Sequence, residues 1–419
     1  MVFGALTPLV VGALGPYLVP DLSLSRSQLG LFVTLSFVVA TLASLPSGTL
    51  VDRVDSRLVV TAIFGVSAAA LLGLAAATSL AVFLALALPA GLAQAASNPV
   101  TNRLVALHTP LAQRGLVVGA KQAGVHVGGF VAGLALPLVA AAAGWRTSVA
   151  LAAGAAVAVL WLSLGVVPRG AAAAAPAGGP PSPFRWRDGI VPYLTLYAFL
   201  MGGGVAAVTT YIPLYADERL GLGETAAGGV LAVFALTGVV ARLAWGWIGD
   251  RVGGAAPVLG VLALASTVAT LVLWHAESGP AWSVWVAAVG LGASAAAWNA
   301  VGMLAAVRDV DAAHVGRATG IVSAGFFAGF IVSPTAFGAV VDATDGYRPG
   351  WLAVAAHFAL ATAVSAWWWL RPGSPTVAPP TRPGPDSGAA GRSGRSAAAP
   401  NPIRRGLRSP RARPRRSRR

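Results

Sequence analysis

The chain has 419 residues, of which 56% are hydrophobic and only 10% charged. Soluble domains carry roughly 25% charged residues, and a water-soluble fold of this size could not hide so much apolar surface, whereas a bilayer can. The chain has no cysteine and its five histidines show no pair at metal-ligand spacing, which excludes disulfides and thiol chemistry and leaves no metal, cofactor or catalytic residue expected.

The formal net charge of +15 is unevenly placed: residues 371–419 hold 13 Arg and one Asp, whereas residues 1–370 are close to neutral. Helices are the expected element, because Ala, Leu, Val and Gly dominate and the period-2 alternation of barrel strands is missing. About 20 apolar residues cross the hydrocarbon core as a helix. Twelve such segments follow one another near 2–20, 29–50, 58–78, 80–102, 116–142, 147–168, 189–213, 225–247, 256–275, 281–306, 315–341 and 350–370. No basic stretch precedes the first, and Gly15-Pro16 leads to Tyr17 and Asp21 rather than to a cleavage site, which predicts an uncleaved helix. Its abrupt start is what a longer natural N-terminus before Met1 would leave. The third and fourth spans are separated only by a turn near Thr78-Ser79.

Alternate loops differ in charge. One set carries Arg53, Arg57, Arg103, Arg114, Arg169, Arg185, Arg187, Arg251, Arg308, Arg317 and the Arg-rich tail; the other sets Arg26, Arg146, Arg219 and Arg348 against Asp21, Asp217, Glu218, Glu277, Asp342 and Asp345. The basic excess assigns the first set to the cytoplasm. A multi-pass protein of the cytoplasmic (inner) membrane, with both termini inside, is expected. The loop 169–188, with AAAAAPAGGPPSP, is a flexible linker by composition. It divides the chain into a six-helix half at 1–168, a cytoplasmic linker at 169–188, a second six-helix half at 189–370 and a disordered tail at 371–419.

The two halves repeat each other. Gly48-Thr-Leu-Val-Asp52-Arg53-Val54 follows span two, and Gly246-Trp-Ile-Gly-Asp250-Arg251-Val252 follows span eight, 198 residues later. Gly119-Ala-Lys-Gln-Ala-Gly124 opens span five and Gly320-Ile-Val-Ser-Ala-Gly325 opens span eleven, at an offset of 201 that Asn98 and Asn299 share. Three matches in one order imply parallel six-span repeats, an arrangement of secondary transporters. On these residues the chain resembles the major facilitator superfamily over about residues 2–370. That family's loop signature is Gly-x-Leu-x-Asp-Arg-x-Gly-basic-basic; Gly48, Leu50, Asp52, Arg53 and Arg57 match it, while Asp55 replaces a glycine and Ser56 a basic residue. The second copy keeps Gly246, Asp250, Arg251 and Gly253 without the trailing basic pair. The resemblance implies an all-α membrane protein of twelve helices in two pseudo-symmetric bundles, a monomer that moves a small solute by alternating access. It also implies a cytoplasmic gating cluster of Gly48, Asp52, Arg53, Arg57, Gly246, Asp250 and Arg251. Arg242, eight residues before Asp250, is expected to join that cluster.

Ionisable side chains inside spans are functional candidates by default. Lys121, the only lysine, lies about 8 Å into span five and His126 about 15 Å in, at 1.5 Å per residue. Gln122 and His126 are one turn apart. In span four Gln94, Asn98 and Asn102 form one stripe, followed by Arg103; such a stripe must face protein or water. Trp298 and Asn299 are the counterparts in span ten. These nine residues are the candidate substrate contacts. Tyr193, Tyr197, Tyr211 and Tyr215 on span seven fit either cavity aromatics or an interfacial belt.

No Asp or Glu lies deep in a span, which disfavours organic cations and favours a neutral or anionic solute. Uptake of a small anion or metabolite and efflux of a hydrophobic drug both remain open. If protons are coupled, His126 is the titratable candidate. A membrane enzyme would need convergent acids or a nucleophile with its base, and none is visible. An ATP-driven pump would need Gly-x4-Gly-Lys-Ser/Thr, which the string from Gly115 to Gln122 fails. The tail, with no aromatic residue for base stacking, is expected to meet anionic lipid headgroups rather than nucleic acid.

Overall fold

In lipid a backbone must satisfy its own hydrogen bonds, and the helix does so within one segment. The computed structural model, which describes residues 1–110, 113–167, 189–251, 254–310 and 314–371, contains no strand among those residues. The linker 169–188 and the tail beyond Arg371 lie outside the described residues. The first half of the chain forms α1 (Val2–Ala13), α2 (Gly15–Asp21), α3 (Arg26–Arg53), α4 (Ser56–Ala75), α5 (Leu80–Ala85), α6 (Ala87–His108), α7 (Arg114–Ala143) and α8 (Trp145–Val166). The second half forms α9 (Val191–Glu218), α10 (Glu224–Arg251), α11 (Ala255–His275), α12 (Ser283–Ala293), α13 (Trp298–Arg308), α14 (Val315–Thr344) and α15 (Arg348–Leu370).

Eleven spans, two of them joining adjoining helices (α5 with α6, α12 with α13), are long and apolar enough to cross a membrane, and the bent pair α1–α2 makes a twelfth, so the twelve expected spans are present among the described residues. The 65° bend between α1 and α2 falls beside Pro16, whose ring removes one helical N–H donor. The expected turn after the third span is present: α4 stops at Ala75, and the Ser79 side chain caps α5 by accepting from Val82 N.

The halves meet along two long seams, α3 against α14 and α7 against α10, with α1 also packed on α9. Small residues make both seams tight. A Cβ on Gly30 would lie 2.3 Å from Pro334 O, and a Cβ on Gly228 would lie 2.7 Å from Gly133 O. Such contacts are the usual means of helix association in lipid, where apolar burial gives no preference for protein over bilayer.

Toward one face the α3–α14 seam is tied by polar contacts. Arg26 Nη2 donates to Glu218 Oε1 at 2.9 Å, and Tyr347 Oη donates to Glu218 Oε2 at 2.8 Å. Burial, then the Glu218 carboxylate, push the Tyr347 phenol well above its ordinary range, so it remains a donor. Asp342, on α14, accepts from Arg26 N and Ser27 N at 3.0 and 2.9 Å. It therefore supplies the free N–H groups of a helix in the other half with a negatively charged cap. Deeper, Thr34 Oγ1 donates to Ile331 O at 2.8 Å, and Tyr211 Oη lies 2.7 Å from both Arg26 O and Pro334 O, sharing its proton between two carbonyls.

Candidate functional site

The candidate residues separate into those the fold brings together and those it uses elsewhere. On α7, Lys121 turns toward α6. Its Nζ lies 3.3 Å from Asn98 Oδ1 and 3.2 Å from Thr101 Oγ1, and it also donates to Asn102 Oδ1. Asn98 and Asn102 thus share one helix face, as the spacing predicts. Thr101 is a further partner that the sequence reading missed, although it stands three residues after Asn98 on that face. Gln94 continues the stripe, and its Oε1 is buried without a hydrogen-bond partner.

One and a half turns further along α7, His126 faces α10. Its Nδ1 is buried and unpartnered. The ring packs on Gly238, where a Cβ would come within 2.8 Å of His126 Cδ2, and lies 6.4 Å from the Phe234 ring. Arg242 stands one turn beyond Gly238. Its Nε donates to Ala296 O at 2.8 Å and its Nη1 to Gln122 O at 3.2 Å. Gln122 O is the carbonyl that the His126 backbone N–H meets in an α-helix, so the guanidinium and the imidazole are neighbours across the seam. Gln122 contributes through this backbone carbonyl.

Arg242 was expected in the cytoplasmic cluster, and here the structure corrects the sequence reading. Its side chain reaches across the seam to α7 and to the break between α12 and α13, because the carbonyl of Ala296, left without an ordinary helical partner there, accepts it. Arg103 is a second correction. It donates to Val51 O and, at 3.2 Å, to Val54 O, the exposed carbonyls that end α3, where a cation is favoured by the helix dipole. It braces a helix end instead of lining a cavity. Trp298 is a third, being 1% exposed and packed against the Tyr197 and Phe326 rings at 5.6 and 5.7 Å. Asn299 beside it is partly exposed. The four tyrosines are neither cavity walls nor a belt: all are buried, and Tyr197 and Tyr215 donate to Leu259 O at 2.8 Å and Leu273 O at 3.0 Å.

Of the expected gate, Arg53 is exposed and Arg57 donates to Leu164 O at the end of α8. Asp55 Oδ1 accepts from Arg57 N at 2.8 Å and so caps α4. Gly48, Asp52, Gly246, Asp250 and Arg251 lie on α3 and α10, but their side chains are outside the described residues. Among the described residues no group of acids and histidines could hold a metal ion.

What this arrangement can do chemically follows from its charges. Arg242 is held by backbone carbonyls and Lys121 by neutral side-chain oxygens. The ion pairs Arg26–Glu218, Arg146–Asp21 and Arg219–Asp345 lie at helix ends instead. Lys121 and His126 on α7 and Arg242 on α10, with no carboxylate among their described partners, form an arrangement that can receive negative charge.

Comparison with known proteins agrees with the fold. The family profile of the Major Facilitator Superfamily matches residues 1–310 and 220–416. The probable nitrate/nitrite transporter NarK2 of Mycobacterium tuberculosis is 29% identical over 379 residues, covering 85% of this chain and 91% of that one. The nitrite extrusion protein of Bacillus subtilis is 25% identical over 377 residues, covering 88% and 91%. Among solved structures, the nucleoside transporter NupG superposes with a TM-score of 0.72 at 12% identity, over 87% of this chain and 96% of that one. A bacterial homologue of the human lysosomal transporter Spinster, inward-facing and occupied, does so with 0.68 at 16%, over 87% and 94%. With its helical spans, its paired seams and this match along its length, the chain is a multi-pass membrane protein that belongs to the Major Facilitator Superfamily.

Proposed function

We propose that this protein is a secondary transporter that moves a small inorganic oxyanion of the nitrate or nitrite kind across the cytoplasmic membrane by alternating access. Arg242 is its principal anion contact and Lys121 a second cation nearer the cytoplasmic mouth. The observation that carries this reading is Arg242 itself. A guanidinium half-buried in an apolar seam and bonded, among the described residues, to carbonyls alone bears a desolvation penalty that a bound anion relieves. Its flat fork of donors suits a small planar oxyanion better than a point charge would. The names of the two bacterial relatives support the same cargo class. The alternative of hydrophobic-drug efflux has less behind it, because Trp298 and the tyrosines are consumed in packing.

In this reading the polar ties at Arg26, Glu218 and Asp342 close the outer face, and the duplicated Asp52 and Asp250 loops form the inner gate when the carrier reverses. The arginine-rich tail contacts anionic headgroups on the cytoplasmic side. Purified protein tests the cargo directly. A ligand that binds the folded state raises its unfolding midpoint. Nitrate or nitrite should raise it for the native protein and leave it unmoved in Arg242→Gln, and labelled nitrate should enter proteoliposomes. A midpoint raised by hexuronates or nucleosides, but by neither anion, would sink the proposal.

A further inference from the structure

Resting on that reading, we infer that His126 is the proton carrier of the transport cycle, and that it takes up its proton as an anion settles against Arg242. The argument begins with placement. His126 sits in one of the two seams between the halves, not inside one bundle, so the proposed alternating access would change its surroundings. Its ring is fixed against Gly238, one turn from Arg242, and its Nδ1 is buried without a partner. A buried ring nitrogen in that state has an unused place for a proton or a hydrogen bond.

The charges around it make protonation conditional. Elements packed against α7 are α1, α6, α8 and α10. Residues 2–13 of α1 carry no titratable side chain, and the Met1 amino group that precedes them lies beside Lys121. On α6 the groups are Arg103, bound to the end of α3, and His108 at the helix end. On α8 the group is Arg146, paired with Asp21 at 2.8 Å. On α10 Glu224 opens the helix and Asp250 and Arg251 close it, which leaves Arg242 as the group that faces the imidazole. On α7 itself Arg114 opens the helix and Lys121 turns to Asn98 and Asn102. With the site empty, a second positive charge beside Arg242 is opposed. An anion placed between guanidinium and imidazole removes that opposition, and by linkage the proton strengthens anion binding by the same factor. Lys121 is already engaged by three oxygen partners, whereas the His126 Nδ1 has none. In the cycle, one proton from water on one side joins an imidazole nitrogen. Its N–H bond breaks again when the anion leaves, and the proton passes to water on the other side.

The test uses full-length protein in proteoliposomes with a trapped pH indicator, and nitrate as the probe, since its acid is too strong to carry protons through lipid by itself. Native protein should acidify the lumen as nitrate enters, with about one proton per nitrate. In His126→Gln the ratio should fall below about one in ten, read on whatever nitrate flux the variant retains. A variant that keeps the native ratio overturns the inference. A second measurement needs no variant: nitrate added to weakly buffered native protein in detergent should withdraw protons from solution, and no withdrawal on demonstrated binding overturns the inference equally. Native protein that takes up labelled nitrate into nitrate-free vesicles without proton entry refutes the carrier alone, whereas native protein that neither binds nor takes up nitrate refutes the anion reading beneath it.

Discussion

The two seams between the halves are built alike and equipped differently. Both use glycines for close approach, Gly30 and Gly338 in one and Gly133 and Gly228 in the other. At the offsets of the internal repeat, His126 corresponds to Phe327, Lys121 to Val322 and Arg242 to Ser44. The α3–α14 seam is accordingly closed by Phe37 stacked on Phe330 at 4.2 Å and by the Thr34–Thr335 hydrogen bond of 2.8 Å. The α7–α10 seam carries the arginine and the histidine. Packing in lipid requires small residues and good fit but no charge, whereas each buried charge is a standing penalty. The two seams thus share their glycine packing and differ in the charge they carry, and the proposed anion contact lies in the charged one.

That contrast can be broken most severely at Arg242. Arg242→Gln should lower nitrate transport at least ~100-fold, the scale of losing one partner of a buried charged contact. Lys substituted there keeps the charge but not the planar fork, and should recover only part of that loss in a flux assay. Lys121→Ala should raise the KM for nitrate about tenfold with a smaller change in kcat; unchanged transport of an identified anion would remove Lys121 from the site. At the outer ties, Glu218→Gln leaves Arg26 without its ion pair and should shift the carrier toward its outward-open state by roughly two- to fivefold, as partly exposed pairs contribute little. The native chain has no cysteine, so thiol labelling of Ser27→Cys reads that shift without background. The smallest effect belongs to the uncharged seam. Phe327→Leu should change the nitrate KM less than about twofold and cost about 1 kcal/mol of packing, seen as a lower unfolding midpoint.

Spans, fold class and duplication were legible in the sequence because hydropathy acts over some twenty residues at once and tolerates error at any one of them. The stripe from Gln94 to Asn102 and its neighbour Lys121 were legible for a related reason: helical spacing alone places Asn98 and Asn102 on one face, and α7 follows α6 directly in the chain. Arg103, Arg242 and Trp298 were misread because sequence distance governs only contacts within a helix. Arg103 finds the open carbonyls that end α3, and Arg242 finds one at a helix break 54 residues away. The outer ties were also hidden, since Arg26 and Asp342 are separated by 316 residues and each reads alone as an ordinary loop charge.

The sequence by itself therefore determined a membrane-spanning helical chain with repeated halves, because the bilayer imposes length, polarity and backbone satisfaction on every span separately. Only the tertiary structure decided that Arg242 and His126 meet. Which helix faces which is settled by the fit of small residues along two seams, and that fit depends on pairs of positions that the linear order of the chain does not reveal.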